Sequence, residues 1–164
     1  MSYFKIKSHA KINLALNVVG KSKSLHRIES IVSFLDLHDE IKIKKIRYKN
    51  HKIRFLGKFS NGLKSKNTIY QLLENIDKKK LLRDKYQIIV KKNIPSEAGL
   101  GGGSMNAASI INFFEKKNLI KVKKKEILEI SNSIGSDVIL GLYSKNLVLK
   151  LNKLIKTLSL KKKF

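Results

Sequence analysis

Cysteine is absent from the 164 residues, which excludes disulfides and thiolate metal sites and fits a reducing compartment. Proline occurs once, at Pro95, so ring chemistry interrupts regular structure at a single place. No apolar run approaches the ~18 residues that a membrane span needs. The opening MSYFKIKSHAKINLAL lacks the continuous apolar core and small-residue cleavage site of a secretory leader. The expectation is a soluble cytoplasmic chain. Acidic residues are scarce, 12 against 36 basic ones, and the formal net charge is +24. Arginine is scarcer still: Arg27, Arg47, Arg54 and Arg83 stand against 32 lysines.

That last shortage bears on the charge. Clustered cations bind phosphate backbones by releasing counterions, so a nucleic acid is one reading of +24. Phosphate and base recognition favour the arginine fork, however, and the lysines run along the whole chain in short clusters at 78–80, 123–125 and 161–163. Compositional drift, with lysines on solvated faces, is the favoured reading. Neither nucleic acid nor membrane is the expected partner, although a small polyanion would gain from the field. Apolar residues make up 42% of the chain, enough for one core, and the length suits one domain.

Periodicity separates strands from helices. Ile12, Leu14, Leu16 and Val18 alternate with polar or small residues, the period of a half-buried strand. Residues 31–37, 41–44, 52–55, 86–91 and 146–152 give further strand-like runs, and Ser60-Asn61-Gly62 is a turn signal. Ile69, Leu72, Leu73 and Ile76 follow the helical period, with Asn67 as N-cap. A second helix carries Ala107, Ile110, Ile111 and Phe114. A third carries Ile127, Ile130 and Ile134, with Gly135 at its C′ position. Strands interleaved with about three helices give an α+β domain.

Between a strand and a helix lies Pro95-Ser96-Glu97-Ala98-Gly99-Leu100-Gly101-Gly102-Gly103-Ser104-Met105-Asn106. Its glycines allow positive φ and close approach of a ligand to the backbone. Consecutive N–H groups at a helix N-terminus make an anion nest, so polyphosphate is the natural ligand. A Walker loop would end in Gly-Lys-Ser/Thr, where this one has Gly103-Ser104-Met105, and the Rossmann spacing from Gly99 meets Ser104 instead of its third glycine.

The string resembles another pattern, the second motif of the GHMP kinase superfamily (Pro-x-x-x-Gly-Leu-Gly, then small residues and Ser). Its long form is similar to that of the diphosphocytidyl-methylerythritol kinases in that superfamily. Ser8-His9-Ala10-Lys11-Ile12-Asn13-Leu14 resembles the opening motif, with His9 in place of proline. Asn67-Thr68-Ile69 resembles the segment flanking the adenine site, and Ile134-Gly135-Ser136-Asp137-Val138 the motif of the catalytic aspartate. Departures are Leu25 for an aromatic before His26, Met105 for a second serine, and Ile139 for a proline.

The resemblance implies a mixed sheet packed with helices, the ribosomal-protein-S5-domain-2-like sandwich. Residues 1–145 would be the N-terminal ATP-binding domain and 146–164 a truncated basic tail, without the family's C-terminal domain. It implies ATP-dependent phosphorylation of the 2-hydroxyl of 4-diphosphocytidyl-2-C-methyl-D-erythritol in non-mevalonate isoprenoid synthesis. Asp137 would be the base and Lys11 would stabilise charge on the oxygen. Residues 95–106 and Asn67 would hold ATP with its Mg²⁺, and Asn13 and His26 the cytidine-diphosphate sugar alcohol. His26 read alone is equally a surface histidine. None of His9, His26, His38 and His51 has a second histidine at ligand spacing, so no protein-built metal site is expected. Three readings of the length stay open: a fragment, a truncated product, or one member of a split enzyme whose second polypeptide supplies the rest. Two rival functions also stay open: another GHMP kinase, such as a homoserine or mevalonate kinase, and a non-catalytic RNA-binding module of the same fold.

Overall fold

The computed structural model describes residues 2–21, 26–63, 67–143, 145–150 and 153–158. Two long antiparallel strands dominate it, β1 (Phe4–Lys21) and β2 (His26–Ile46). Their ladder runs from Phe4↔Ile43 to Lys21↔His26, with register shifts between His9 and Lys11, Asn13 and Ala15, and Val18 and Gly20. The apolar runs at 31–37 and 41–44 therefore belong to one strand, not two. The polar stretch between them looks like a break in sequence, yet its buried carboxylate, Asp39, finds its partners inside the protein.

Strand β2 is the spine of a six-stranded sheet of order β3-β4-β2-β5-β6, with β1 also paired to β2. Its C-terminal half pairs with β4 (Lys85–Lys91), and Ser30 to Val32 pair with β5 (Asn146–Lys150). Strand β3 (Lys52–Leu56) runs parallel to β4, and β6 (Lys153–Leu158) antiparallel to β5. Residues 146–150 and 153–158, read from sequence as part of a tail, thus extend the sheet.

Among the described residues, four helices accompany the sheet: α1 (Thr68–Lys78), α2 (Gly102–Lys116), α3 (Lys124–Ile134) and α4 (Val138–Tyr143). Asn67 caps α1 as its sequence position predicts, its side-chain oxygen accepting from the Ile69 and Tyr70 amides at 3.0 and 3.3 Å. Gly135 ends α3 with φ 169°, which is extended backbone and not the left-handed cap expected of it. The chain leaves α3 through a tight turn, Val138 N–H donating to the Gly135 carbonyl, straight into α4. That six-residue helix escaped the sequence reading because it is too short to display a helical period.

Burial of Ile41, Ile43, Ile88 and Val90 from the sheet against Leu72, Ile76, Ile110 and Phe114 from α1 and α2 forms the main core. Helix α4 reaches it through Gly141, where an added Cβ would lie 2.5 Å from the Ala108 Cβ. Asp39 has no exposure and fastens the sheet to the segment after β4. It forms an ion pair with Lys92, itself buried, and accepts from the Asn93 and Ile94 amides at 2.8 and 2.9 Å and from Asn106 Nδ2 at 2.9 Å. Away from this centre, the Tyr86 amide donates to His51 Nδ1 at 3.0 Å, so the ring proton sits on Nε2 and faces Asp77 Oδ1 at 3.2 Å. Burial holds the His51 pKa below its ordinary value.

Three outcomes are expected. Gly141→Ala should cost about 1–3 kcal/mol by overpacking α4 against α2, measured by urea denaturation. Asp39→Ala leaves a buried ammonium unpaired and should cost roughly 3–5 kcal/mol, against a smaller loss for Asp36→Ala at the exposed neighbour. The folded chain also holds fewer protons at His51 than the unfolded chain does below about pH 6.5. Stability should therefore fall as pH drops below that value towards the lowered folded pKa. His51→Gln should flatten this part of the melting-temperature profile.

Candidate active site

The loop from β4 to α2 owes its shape to three left-handed residues, Glu97 (φ 58°), Gly99 (φ 71°) and Gly101 (φ 65°). A backbone bond ties it to β1, the Lys11 amide donating to the Leu100 carbonyl at 3.0 Å. Gly101 occupies the N-cap position of α2 and provides no side-chain cap. The first turn of a 15-residue helix thus presents its amides without a capping side chain, a favourable end for an anion. Glycine is required by space as well as by φ. A Cβ on Gly101 would come within 3.0 Å of Lys11 Cγ, and one on Gly102 within 3.1 Å of Ile94 and 3.2 Å of Lys92 Nζ.

The loop walls a cavity of about 350 Å³. Residues 95–104, Asn106 and Asn67 line it, which gathers the sequence-predicted nucleotide residues except Met105. Met105 is buried and faces Gly141 beneath α4, so its side chain serves the core. Phe55, Leu63 and Ile69 add an apolar wall, and Thr68 donates to the Gly103 carbonyl at 2.8 Å. Asn106 is buried with its Oδ1 unpartnered, while its Nδ2 is held by Asp39. The cavity therefore suits a group with an apolar ring at one end and anionic oxygens at the other.

Beside the loop, Lys11 brings the catalytic candidates together. Its ammonium lies 2.9 Å from Asp137 Oδ2 and 2.9 Å from Asn13 Oδ1. Asn13 Nδ2 donates to Ser30 Oγ at 2.7 Å, and that hydroxyl donates to the Ala15 carbonyl at 2.7 Å. The chain fixes Lys11, with 9% of its side chain exposed, and leaves Asp137 more open at 32%. Asp137 directly precedes α4, on the same turn as Gly135, whose added Cβ would sit 3.6 Å from Ser104 Oγ. The aspartate and the first turn of α2 are thus neighbours. The backbone of His26 pairs with Lys21 at the far end of the β1–β2 ladder. Its side chain and Leu25 lie outside the described residues.

Sequence reasoning missed Lys92, Asp39 and the Thr68 hydroxyl. In a chain with 32 lysines, nothing marks Lys92 off from Lys91, which pairs with Glu40 on the exposed face.

Known proteins resemble this chain in sequence and in fold. Residues 67–145 match the family described as GHMP kinases N terminal domain. A 4-diphosphocytidyl-2-C-methyl-D-erythritol kinase of Pelagibacter ubique is 56% identical over the whole chain, which covers 59% of that protein. One from Finegoldia magna is 36% identical over 81% of the chain and 48% of its own length. The chain therefore spans roughly half to three-fifths of these curated relatives. A solved 4-(cytidine 5'-diphospho)-2C-methyl-D-erythritol kinase superposes with TM-score 0.75 at 20% identity, covering 96% of this chain and 56% of that one. Methanococcus jannaschii mevalonate kinase superposes with TM-score 0.64 at 17% identity, covering 96% and 56%, a likeness of fold alone. Over residues 67–145, this chain is matched by the N-terminal domain of the GHMP kinases.

Proposed function

We propose that the chain forms the nucleotide-binding half of an ATP-dependent kinase that phosphorylates a hydroxyl, the 2-hydroxyl, of 4-diphosphocytidyl-2-C-methyl-D-erythritol. The observation that carries this reading is the Lys11–Asp137 contact of 2.9 Å set beside the glycine loop. A phosphoryl acceptor needs a base and a cation within reach of one oxygen, next to a cradle for the donor. The substrate class is carried over from the relative that is 56% identical over the full chain.

In this mechanism the α2 amides and the loop backbone bind the nucleotide's phosphates, and Asn67 lies towards the apolar wall where an adenine would fit. Asp137, whose carboxylate is partly exposed beside Lys11, accepts the proton of the attacking hydroxyl. Lys11 stabilises the negative charge that develops on that oxygen, and Asn13 fixes the ammonium's direction. The residues fit a magnesium-bound nucleotide: Glu97 is the one carboxylate and Ser104 one of the hydroxyls in the cavity lining. When bound, the cation shields phosphate charge. His26 is assigned to the cytidine end. The distal part of the substrate would be held by residues beyond the span matched here, whether in the same polypeptide or a second one.

The test joins the chain to the remaining length of the Pelagibacter ubique relative and follows ADP release with 4-diphosphocytidyl-2-C-methyl-D-erythritol. Asp137→Ala should reduce kcat by roughly 10²–10⁴-fold with nucleotide affinity retained. Equal rates would remove Asp137 from the mechanism. Activity on mevalonate or homoserine in place of this substrate would overturn the assignment while leaving the kinase chemistry.

A further inference from the structure

The pairing of β1 with β2 produces a cluster that the kinase reading does not use. His9 and His38 are direct cross-strand partners, and Asp36 lies two residues before His38, within the register shift that follows this pair. One ligand atom from each of the three can be chosen so that all lie within 4.8 Å of one another. The spacing rule applied to the sequence could not find them, because 27 or more residues separate His9 from the other two and only the strand register unites them.

We propose that His9, Asp36 and His38 form a site for one divalent transition ion of the zinc class. Both rings are held through Nδ1 by a backbone carbonyl. His9 Nδ1 lies 2.9 Å from the Leu35 carbonyl, and His38 Nδ1 contacts the Asp36 carbonyl. A carbonyl can only accept, so each Nδ1 carries the ring proton and each Nε2 carries the lone pair. A backbone carbonyl behind a ligating imidazole is the usual outer partner of a metal-bound histidine. Two imidazoles and a carboxylate suit Zn²⁺, and three protein ligands leave a fourth position for water. Ligands at about 2.0–2.2 Å from a tetrahedral ion stand roughly 3.3–3.5 Å apart. The site requires the present spread of up to 4.8 Å to close to that spacing, and Asp36, being exposed, is the ligand with room to move. A simple ring contact between the histidines, whose centroids are 5.3 Å apart and tilted by 51°, would require neither the Asp36 placement nor both carbonyl tethers. The ion would clamp β1 to β2 at the register shift between His9 and Lys11.

The test titrates Zn²⁺ into the metal-free full chain by calorimetry, with Co²⁺ absorption reporting the ligand set. One ion per chain is expected, together with a Zn²⁺-dependent rise in melting temperature. Loss of an outer partner alone weakens metal sites about 10–100-fold, so His9→Gln and His38→Gln should each weaken binding at least ~100-fold and abolish the thermal shift. Asp36→Asn should weaken it at least ~10-fold, and His51→Gln should leave it unchanged. Failure of the wild-type chain to bind stoichiometrically, or equal binding by the two cluster-histidine variants, overturns the proposal. Should those variants misfold by circular dichroism, the exposed Asp36→Asn decides: unchanged affinity rejects the site and weakened affinity upholds it.

Discussion

Four donors converge on the carboxylate of Asp39, and it has no exposure to water. An isolated charge so buried would cost more than the fold could sustain. The Lys92 ammonium, two consecutive amides and the Asn106 amide group together make it tolerable. The consequence is geometric. Asp39 belongs to β2, the amides of Asn93 and Ile94 belong to the segment that becomes the glycine loop, and Asn106 belongs to the first turns of α2. One buried charge therefore sets where the loop leaves the sheet and where the helix that follows begins.

With both ends of the loop fixed, its middle can be made of residues that contribute only backbone. Gly101 and Gly102 leave room for Lys11 and Lys92 to pass beneath, and the Lys11 amide holds Leu100 from the other side. Lys11 thus works twice. Its backbone locates the loop, while its side chain locates Asp137 through the 2.9 Å contact. The glycine loop and the carboxylate are placed by the same residue, so a shift in the β1–β2 register near residue 10 would move both.

Much of this was legible in sequence, for identifiable reasons. Asn67 before an i, i+3, i+4, i+7 pattern needs no tertiary context, and its cap is present. The glycine loop is legible because positive φ and close approach leave few residue choices. What could not be read depends on partners distant along the chain. Strand β2 looked broken because the carboxylate of Asp39 is satisfied from residues 53 to 67 positions away. Helix α4 is held by the Gly141–Ala108 approach and not by its own propensity. Lys92 resembles every other lysine until its burial is known.

The charge of +24 takes on a different meaning beside the site. Among the described residues, the two lysines packed against Gly101 and Gly102 are matched by carboxylates, Lys11 by Asp137 and Lys92 by Asp39. Neither brings an unopposed charge to an incoming phosphate. In the proposed kinase, the described groups that face a phosphate without an opposing charge are the amide ends of α2 and the loop, whose dipoles are fixed by the backbone and do not titrate. The remaining lysines act at longer range. They raise the rate at which a polyanion arrives, an effect that salt screens within about 8–10 Å, without deciding which polyanion stays. Lysine drift across the surface is thereby compatible with a selective site, because the selecting groups are ones that drift in side-chain composition leaves untouched.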